Sequence, residues 1–299
     1  MVNNTLFPEL EKPSMNFNNI LVQKVSGTFD SYFSKTIEKP KANVYLFFGD
    51  TASGKTFSAL SLPSPVYVID TENRAISTKY YNYKDKEIHI FEPVQLRTEF
   101  DSVNNDSFDT YKTIEEINKF IIDFANEVKS GRIKEGTLVI DSVTDIWSFV
   151  QDWSMTELSK RFTAKGEKRA DPVLMKMQNQ FDWGIPNKRH AEMLGILRSL
   201  IRYGINIVFT ARERDQPDYV KDTKVQTLRD KIRSQKDVLF LADVIVHLKK
   251  FVDVGKVRYL AQIHKLEGLA PPTEQIENIT FEKLVKLKEE IEKKIEVRF

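Results

Sequence analysis

The chain contains no cysteine, which excludes disulfides and thiolate metal sites. Four histidines scattered through 299 residues argue against a structural zinc site. Excess charge of one sign is also missing: 45 Lys and Arg stand against 43 Asp and Glu, a formal net charge of +2. Whole-chain charge therefore names no polyanionic partner, and any nucleic-acid surface must be local. No apolar run approaches the length of a membrane span, and Met1 to Pro13 lacks a basic region followed by an apolar core. A protein without a membrane partner, in an intracellular, cytoplasmic location, is the default expectation. No internal repeat is visible.

With 41% apolar and 29% charged residues, the chain can build one large core with insertions. The apolar run Asn43 to Phe48 leads into Gly49-Asp50-Thr51-Ala52-Ser53-Gly54-Lys55-Thr56, which fits the spacing G-x-x-x-x-G-K-[ST]. Glycines let the backbone curl until successive N–H groups face a polyphosphate. Lys55 would reach the β and γ phosphates and Thr56 would offer its hydroxyl to Mg²⁺. The positive end of the helix running from Lys55 to Leu60 would face the same anion. The expected nucleotide-binding set is Gly49 to Thr56 together with Phe57.

Strands and helices alternate after this loop. Val66 to Asp70, Glu87 to Phe91, Thr137 to Asp141 and Asn206 to Thr210 read as strands. Ser142 to Lys160 and His190 to Tyr203 read as helices. A further helix is predicted from Thr113, with Thr113 and Glu116 as a capping box and Ile114, Ile117, Phe120, Ile121, Phe124 and Val128 at helical spacing. The pattern predicts an α/β fold with a mainly parallel sheet flanked by helices. Val244 to Leu248 and Val257 to His264 close it as an antiparallel hairpin turned at Asp253 to Lys256. Residues 1 to 40 read as an N-terminal extension, with a strand at Ile20 to Val25 and a helix from Asp30 to Ile37. The core spans 41–268, and 269–299 forms a linker and an amphipathic helix that begins after Thr280.

Asp141 ends an apolar strand beside the loop, where it can hold Mg²⁺ directly or through water. The alternative is that it caps the helix that follows, and both can be true. Ser142 stands where many hydrolysing motors place a glutamate, so a base for water must come from elsewhere. Glu72, just past the strand Val66 to Asp70, is the candidate, with a solvated loop glutamate as the alternative. Thr210 and Arg212 end the next core strand and are placed to sense the γ phosphate. Arg212 could instead face solvent beside Glu213.

The order phosphate loop, Val-Ile-Asp-Thr-Glu-Asn at 68–73, Leu-Val-Ile-Asp-Ser at 138–142 and Ile-Val-Phe-Thr-Ala at 207–211 resembles a RecA-like core ATPase. With Phe-Asp-Trp-Gly at 181–184 and Leu-Ala-Asp-Val-Ile at 241–245, the chain is similar to phage and archaeal-virus ATPases linked to single-strand annealing and recombination. The resemblance covers about residues 43–268 and is strongest at the two nucleotide motifs. It implies ATP and Mg²⁺ as cofactors, Glu72 as the catalytic glutamate and Asp141 as the Mg²⁺-organising acid. It also implies a sheet in which the phosphate-loop strand and the Asp141 strand flank an inserted one. Relatives act as rings or filaments, a homo-oligomer in which a basic residue touches the neighbour's nucleotide. Lys265 matches that place, although its surroundings depart from the Lys-x-Arg type.

Two charged excursions, 161–189 and 212–237, interrupt the core. Lys160, Arg161, Lys165, Lys168, Arg169, Lys176, Lys188 and Arg189 are interleaved with Phe162, Phe181 and Trp183. That mixture suits single-stranded DNA, because charge tracks the backbone and rings stack on bases; a solvated loop is the alternative. Three functions fit: an ATPase working on single-stranded DNA in recombination, annealing or replication, a nucleotide-gated switch with little hydrolysis, or a packaging or translocating motor.

Overall fold

The computed structural model describes residues 42–94, 109–164, 180–214, 228–253 and 255–296, without the side chains of 161–164, 180–182, 229, 230 and 296. Contacts divide the chain into two units, Met1–Pro40 and Lys41–Phe299, and the described residues belong to the second. The expected elements at 20–25 and 30–37 lie outside the described residues. So do the side chains of Arg161, Lys165, Lys168, Arg169 and Lys176, and the centre of the second excursion at 215–227.

In chain order the elements are β1 (Val44–Gly49), α1 (Lys55–Leu60), β2 (Val66–Asp70), α2 (Ala75–Asn82), β3 (Ile88–Phe91), α3 (Thr110–Lys129) and β4 (Gly136–Asp141). Then come α4 (Val143–Ala164), α5 (Gln180–Leu200), a short 3-10 turn, β5 (Ile205–Arg212), α6 (Leu228–Lys231) and α7 (Asp237–Leu241). β6 (Val244–Asp253), β7 (Lys256–Leu266), β8 (Ile276–Glu277) and α8 (Phe281–Glu296) close the chain. The strands form one sheet in the order β3-β2-β4-β5-β1-β6-β7-β8. Pairing is parallel from β3 to β6 and antiparallel from β6 to β8. β1 and β4 thus flank an inserted β5, the arrangement the RecA-like resemblance implies.

Alternation along the central strands divides the core in two, because successive side chains of a strand point to opposite faces. Val44, Leu46 and Phe48 of β1, Leu138 and Ile140 of β4, and Ile205, Ile207 and Phe209 of β5 pack with α3, α4 and α5 on one face. Tyr45 and Phe47, Val139 and Val208 pack on the other, with Ala59 and Leu60 of α1 and Leu284 of α8. Burial on both faces is why these strands read as continuous apolar runs. The C-terminal segment is tied to α1 by Ser58 Oγ donating to Ile279 O at 3.0 Å and Phe281 N donating to Ser61 Oγ at 2.8 Å.

Three elements differ from expectation. α3 starts a turn early: Asp109, extended in backbone, accepts from Lys112 N at 3.0 Å, and Thr113 sits inside the helix with its hydroxyl donating to Asp109 O at 2.8 Å. The expected capping box is displaced because Asp109 supplies its acceptor one turn earlier. α5 begins at Gln180 and carries Pro186 within it, so the end of the first excursion is helical. Pro186, His190, Met193, Leu194, Leu197 and Leu200 are buried at helical spacing; Gly184 and Pro186 concealed a continuous stripe. The closing hairpin is longer than its apolar residues suggest, and β6 also joins the parallel sheet beside β1. Among the described residues no helix is long and apolar enough to cross a membrane.

Leu138 is fully buried in β4. Leu138→Ala should lower the unfolding free energy by about 2–5 kcal/mol, seen as a lower denaturant midpoint at unchanged slope. A midpoint equal to wild type would refute the two-faced core.

Candidate functional site

The loop between β1 and α1 is shaped by its glycines and its neighbours. A side chain at Gly49 would meet Leu248 O at 2.1 Å, so β6 leaves no room for one. Gly54 turns into α1 with φ of 96°, in the left-handed region. Lys55 is buried, its Nζ donating to Gly49 O at 3.1 Å and Asp50 O at 2.8 Å. Burial lowers its pKa, opposed by the nearby carboxylates of Glu72 and Asp141. Ser53 Oγ, in the same loop, is buried with no hydrogen-bond partner among the described residues, a donor that a phosphate oxygen would satisfy.

Asp141 lies at the centre. Thr56 Oγ1 donates to its Oδ2 at 2.7 Å, and Thr210 Oγ1 donates to its Oδ1. Three strand ends, those of β1 through its loop, β4 and β5, thereby meet at one carboxylate. The chain leaves β4 through a cis peptide between Asp141 and Ser142. Burial pushes the Asp141 carboxyl up to about 6, against the two hydroxyls that favour its charged form. The capping role weighed for Asp141 is not the one its oxygens take: both carboxylate oxygens face the threonines.

Glu72 follows β2 on the same edge of the sheet. Its position is set by Asp70, whose buried carboxylate accepts from Glu72 N at 3.1 Å and Ala75 N at 2.8 Å. Arg212 Nε donates to Glu72 Oε1 at 3.0 Å, and its Nη2 reaches the Asp145 carboxylate at 3.0 Å. Arg212 therefore pairs with Glu72 and Asp145 rather than standing free beside Glu213, although 40% of its side chain is exposed. Asp145 is raised by burial, offset first by Arg212, and also accepts from Thr71 Oγ1 at 3.1 Å and Ser142 Oγ at 3.0 Å. Glu213 N donates to Gly49 O at 3.1 Å, and Arg233 N donates to Arg212 O at 2.9 Å. The second excursion is thus bonded to both the loop and the arginine.

Lys55, Thr56, Glu72 and Arg212 line a cleft of about 550 Å³; Asp141 and Thr210 are fully buried and do not line it. Loop residues 51–57 and Ser58 form one side, Glu72, Arg74, Thr78, Asn82 and Arg212 a second, and Leu248, Tyr259, Asn278 and Ile279 a third. Its size and mixed lining suit a nucleotide. Mg²⁺ fits the donor set: a hydroxyl on Thr56 touching a single carboxylate on Asp141 is the one-carboxylate arrangement Mg²⁺ uses when substrate phosphates complete its shell. Among the described residues no group of three or more His, Asp or Glu side chains could hold a metal by itself.

A model of the AAA domain family matches residues 41–267. The chain belongs to the AAA domain family. The match makes the core a P-loop ATPase-type domain, in a family that binds nucleotide. Among solved structures, a KaiC-like protein of the hyperthermophilic archaeon Pyrococcus horikoshii is similar at 15% identity, over 84% of this chain and 90% of that one, with a TM-score of 0.39. No curated protein matches.

Of the expected residues, the fold of this AAA domain brings together Gly49 to Phe57, Glu72, Asp141, Thr210 and Arg212. Lys265 is apart from them: it lies at the far end of β7, with Nζ donating to Ala242 O, and does not line the cleft. Sequence reasoning missed Asp70, Asp145, Tyr259 and Asn278. Asp145 carried one available signal, an acid in the first turn of a helix that starts beside the motif. Tyr259 and Asn278 carried none, because they reach the cleft only through the pairing of β6 with β1 and of β7 with β8.

The raised Asp141 carboxyl has a stability consequence. In the unfolded chain such a group ionises near pH ~4, and below that both states hold the proton and its contribution is fully present. As pH rises through about 6, the native group must ionise while buried and that contribution is lost. Without nucleotide, Asp141→Asn should flatten the fall in thermal stability between about pH 4 and 6; a profile identical to wild type would contradict the assignment.

Proposed function

We propose that this AAA domain hydrolyses ATP with Mg²⁺ and couples hydrolysis to single-stranded DNA in recombination, annealing or replication, as a homo-oligomeric ring or filament. The observation that carries the hydrolytic part is that Glu72 lines the cleft in the turn after β2, the strand next to β4, close enough to Asp141 for the two carboxylates to interact. Lys55 and the loop amides bind and orient the triphosphate. Thr56 and Asp141 would hold Mg²⁺, which supplies charge neutralisation on the phosphate oxygens when bound. Glu72 takes a proton from the attacking water as its oxygen bonds to the γ phosphorus and the bond to the β–γ bridging oxygen breaks. Arg212, ion-paired to Glu72 and bonded at its carbonyl to Arg233, is placed to shift toward the γ phosphate and release the glutamate.

Support for single-stranded DNA comes from the basic and aromatic residues of the first excursion and from the resemblance to viral annealing and recombination ATPases. Trp183 is 39% exposed, whereas Lys188 lies 4.0 Å from Glu192 and Arg189 is held between Glu115 and the Trp153 ring. Lys265, exposed and outside its own cleft, suits contact with a neighbouring subunit's nucleotide. One observation favours a second reading, a nucleotide-gated switch with little turnover: Arg212 holds Glu72 in an ion pair at 3.0 Å.

Phosphate release separates the two. With hydrolysis, Glu72→Gln should lower kcat by about 10²–10⁴-fold while ATP still binds, Lys55→Ala should abolish turnover in a folded protein, and single-stranded DNA should stimulate wild type. A Glu72→Gln rate equal to wild type favours the switch. A wild-type rate that is negligible at every DNA concentration overturns the DNA-coupled ATPase.

A further inference from the structure

The far halves of β6 and β7 leave the body of the sheet. The first five residues of β6, Val244 to Leu248, are buried and the last five, Lys249 to Asp253, are exposed; Lys256, Val257 and Arg258 opposite them are exposed too. The ten residues Lys249 to Arg258 hold four bases and one acid, whereas the whole chain is nearly balanced at 45 and 43. Cross-strand register sorts them by face. Lys249 pairs with Leu260, Phe251 with Arg258 and Asp253 with Lys256, and these share one face. Leu248 with Ala261, Lys250 with Tyr259 and Val252 with Val257 share the other.

The first face sets an exposed ring, Phe251 at 42%, between Lys249 along its own strand and Arg258 across the ladder, with Lys256 one step further. Cations repeat at roughly 7 Å along such a strand. Arg258 meets Glu277 at 3.4 Å, an exposed pair of the kind that contributes little. Lys249 and Lys256 form no ion pair with a described residue. A ring flanked by cations on an edge open to solvent is the combination that binds single strands: charge follows the phosphates and the ring stacks on a base.

We propose that this projecting ribbon, through Lys249, Phe251, Lys256 and Arg258, binds single-stranded nucleic acid, an inference that rests on the nucleic-acid part of the function proposed above. The ribbon's root explains how such binding would reach the nucleotide. Leu248 and Tyr259, on the opposite face, line the cleft, and Leu248 pairs with Gly49 in the ladder, its carbonyl oxygen standing where a side chain on Gly49 would lie. Any differential fit of the ribbon to a bound strand is therefore felt at the phosphate loop, and by linkage nucleotide should change strand affinity by the same factor.

Fluorescence anisotropy with a labelled oligothymidylate tests this in the full chain. Phe251→Ala should weaken binding by about tenfold, while Phe251→Tyr, which keeps the ring, should bind as wild type. The double variant K249A/R258A should reduce the slope of log affinity against log salt by roughly 1.4. Val252→Ser, on the other face, should leave strand binding unchanged. ATP affinity of all four, measured by calorimetry, should stay within about twofold of wild type, which separates the ribbon from the ATP site. Wild-type binding that fails at every salt and nucleotide condition overturns the proposal, as does unaltered binding in both Phe251→Ala and K249A/R258A, or equal preference for duplex. Absent ATP turnover with these strand effects intact would sink the ATPase reading and leave the ribbon standing.

Discussion

A buried carboxylate needs partners for its oxygens, and Asp141 finds them in two threonines from two other strand ends. Thr56 reaches it from the phosphate loop and Thr210 from β5. The contact therefore pins the loop after β1 to β4 and β5 together. Because β4 and β1 are separated by β5 in the sheet, it spans three neighbouring strands. Leaving such a carboxylate without its donors would cost the desolvation of an ionisable group. In the function proposed above, the Thr56 and Asp141 oxygens that satisfy the fold are also those assigned to magnesium.

Around that contact lies a second layer that fixes what stands opposite. Asp70 holds the turn carrying Glu72 by two backbone N–H groups, and Asp145 holds Arg212 from the first turn of α4. Arg212 joins both halves, bonded to Glu72 by its side chain and to Arg233 by its carbonyl. A change in the second excursion thus has a short covalent and hydrogen-bonded route to the glutamate. On the other side, the root of the β6–β7 ribbon packs against Gly49. The cleft is bordered on two sides by elements that continue to the surface.

Much of this was legible in the sequence because two chemistries write strong local signals. The phosphate loop needs glycines at fixed positions, and strands buried on both faces must be continuously apolar, so β1, β2, β4 and β5 announced themselves and put Glu72, Asp141, Thr210 and Arg212 on one edge. The start of α3 was misplaced because Asp109 caps from outside the apolar stripe. The part of α5 before His190, nearly three turns, is hidden by Gly184 and Pro186, which read as breakers although Pro186 is buried. The ribbon was shortened because Lys249 to Asp253 have no apolar alternation; they are held as strand by pairing alone. Tyr259 and Asn278 were invisible for a related reason, since only the register of β6 on β1 and β7 on β8 brings them to the cleft.

The central claim is that a triphosphate and its magnesium bind where Thr56 meets Asp141. Calorimetric titration of ATP with and without Mg²⁺, into wild type and Thr56→Val, tests it most directly. The account predicts binding to wild type that magnesium tightens, and binding to Thr56→Val that magnesium leaves nearly unchanged. No heat on adding ATP to wild type, or an equal magnesium effect in both proteins, would contradict it.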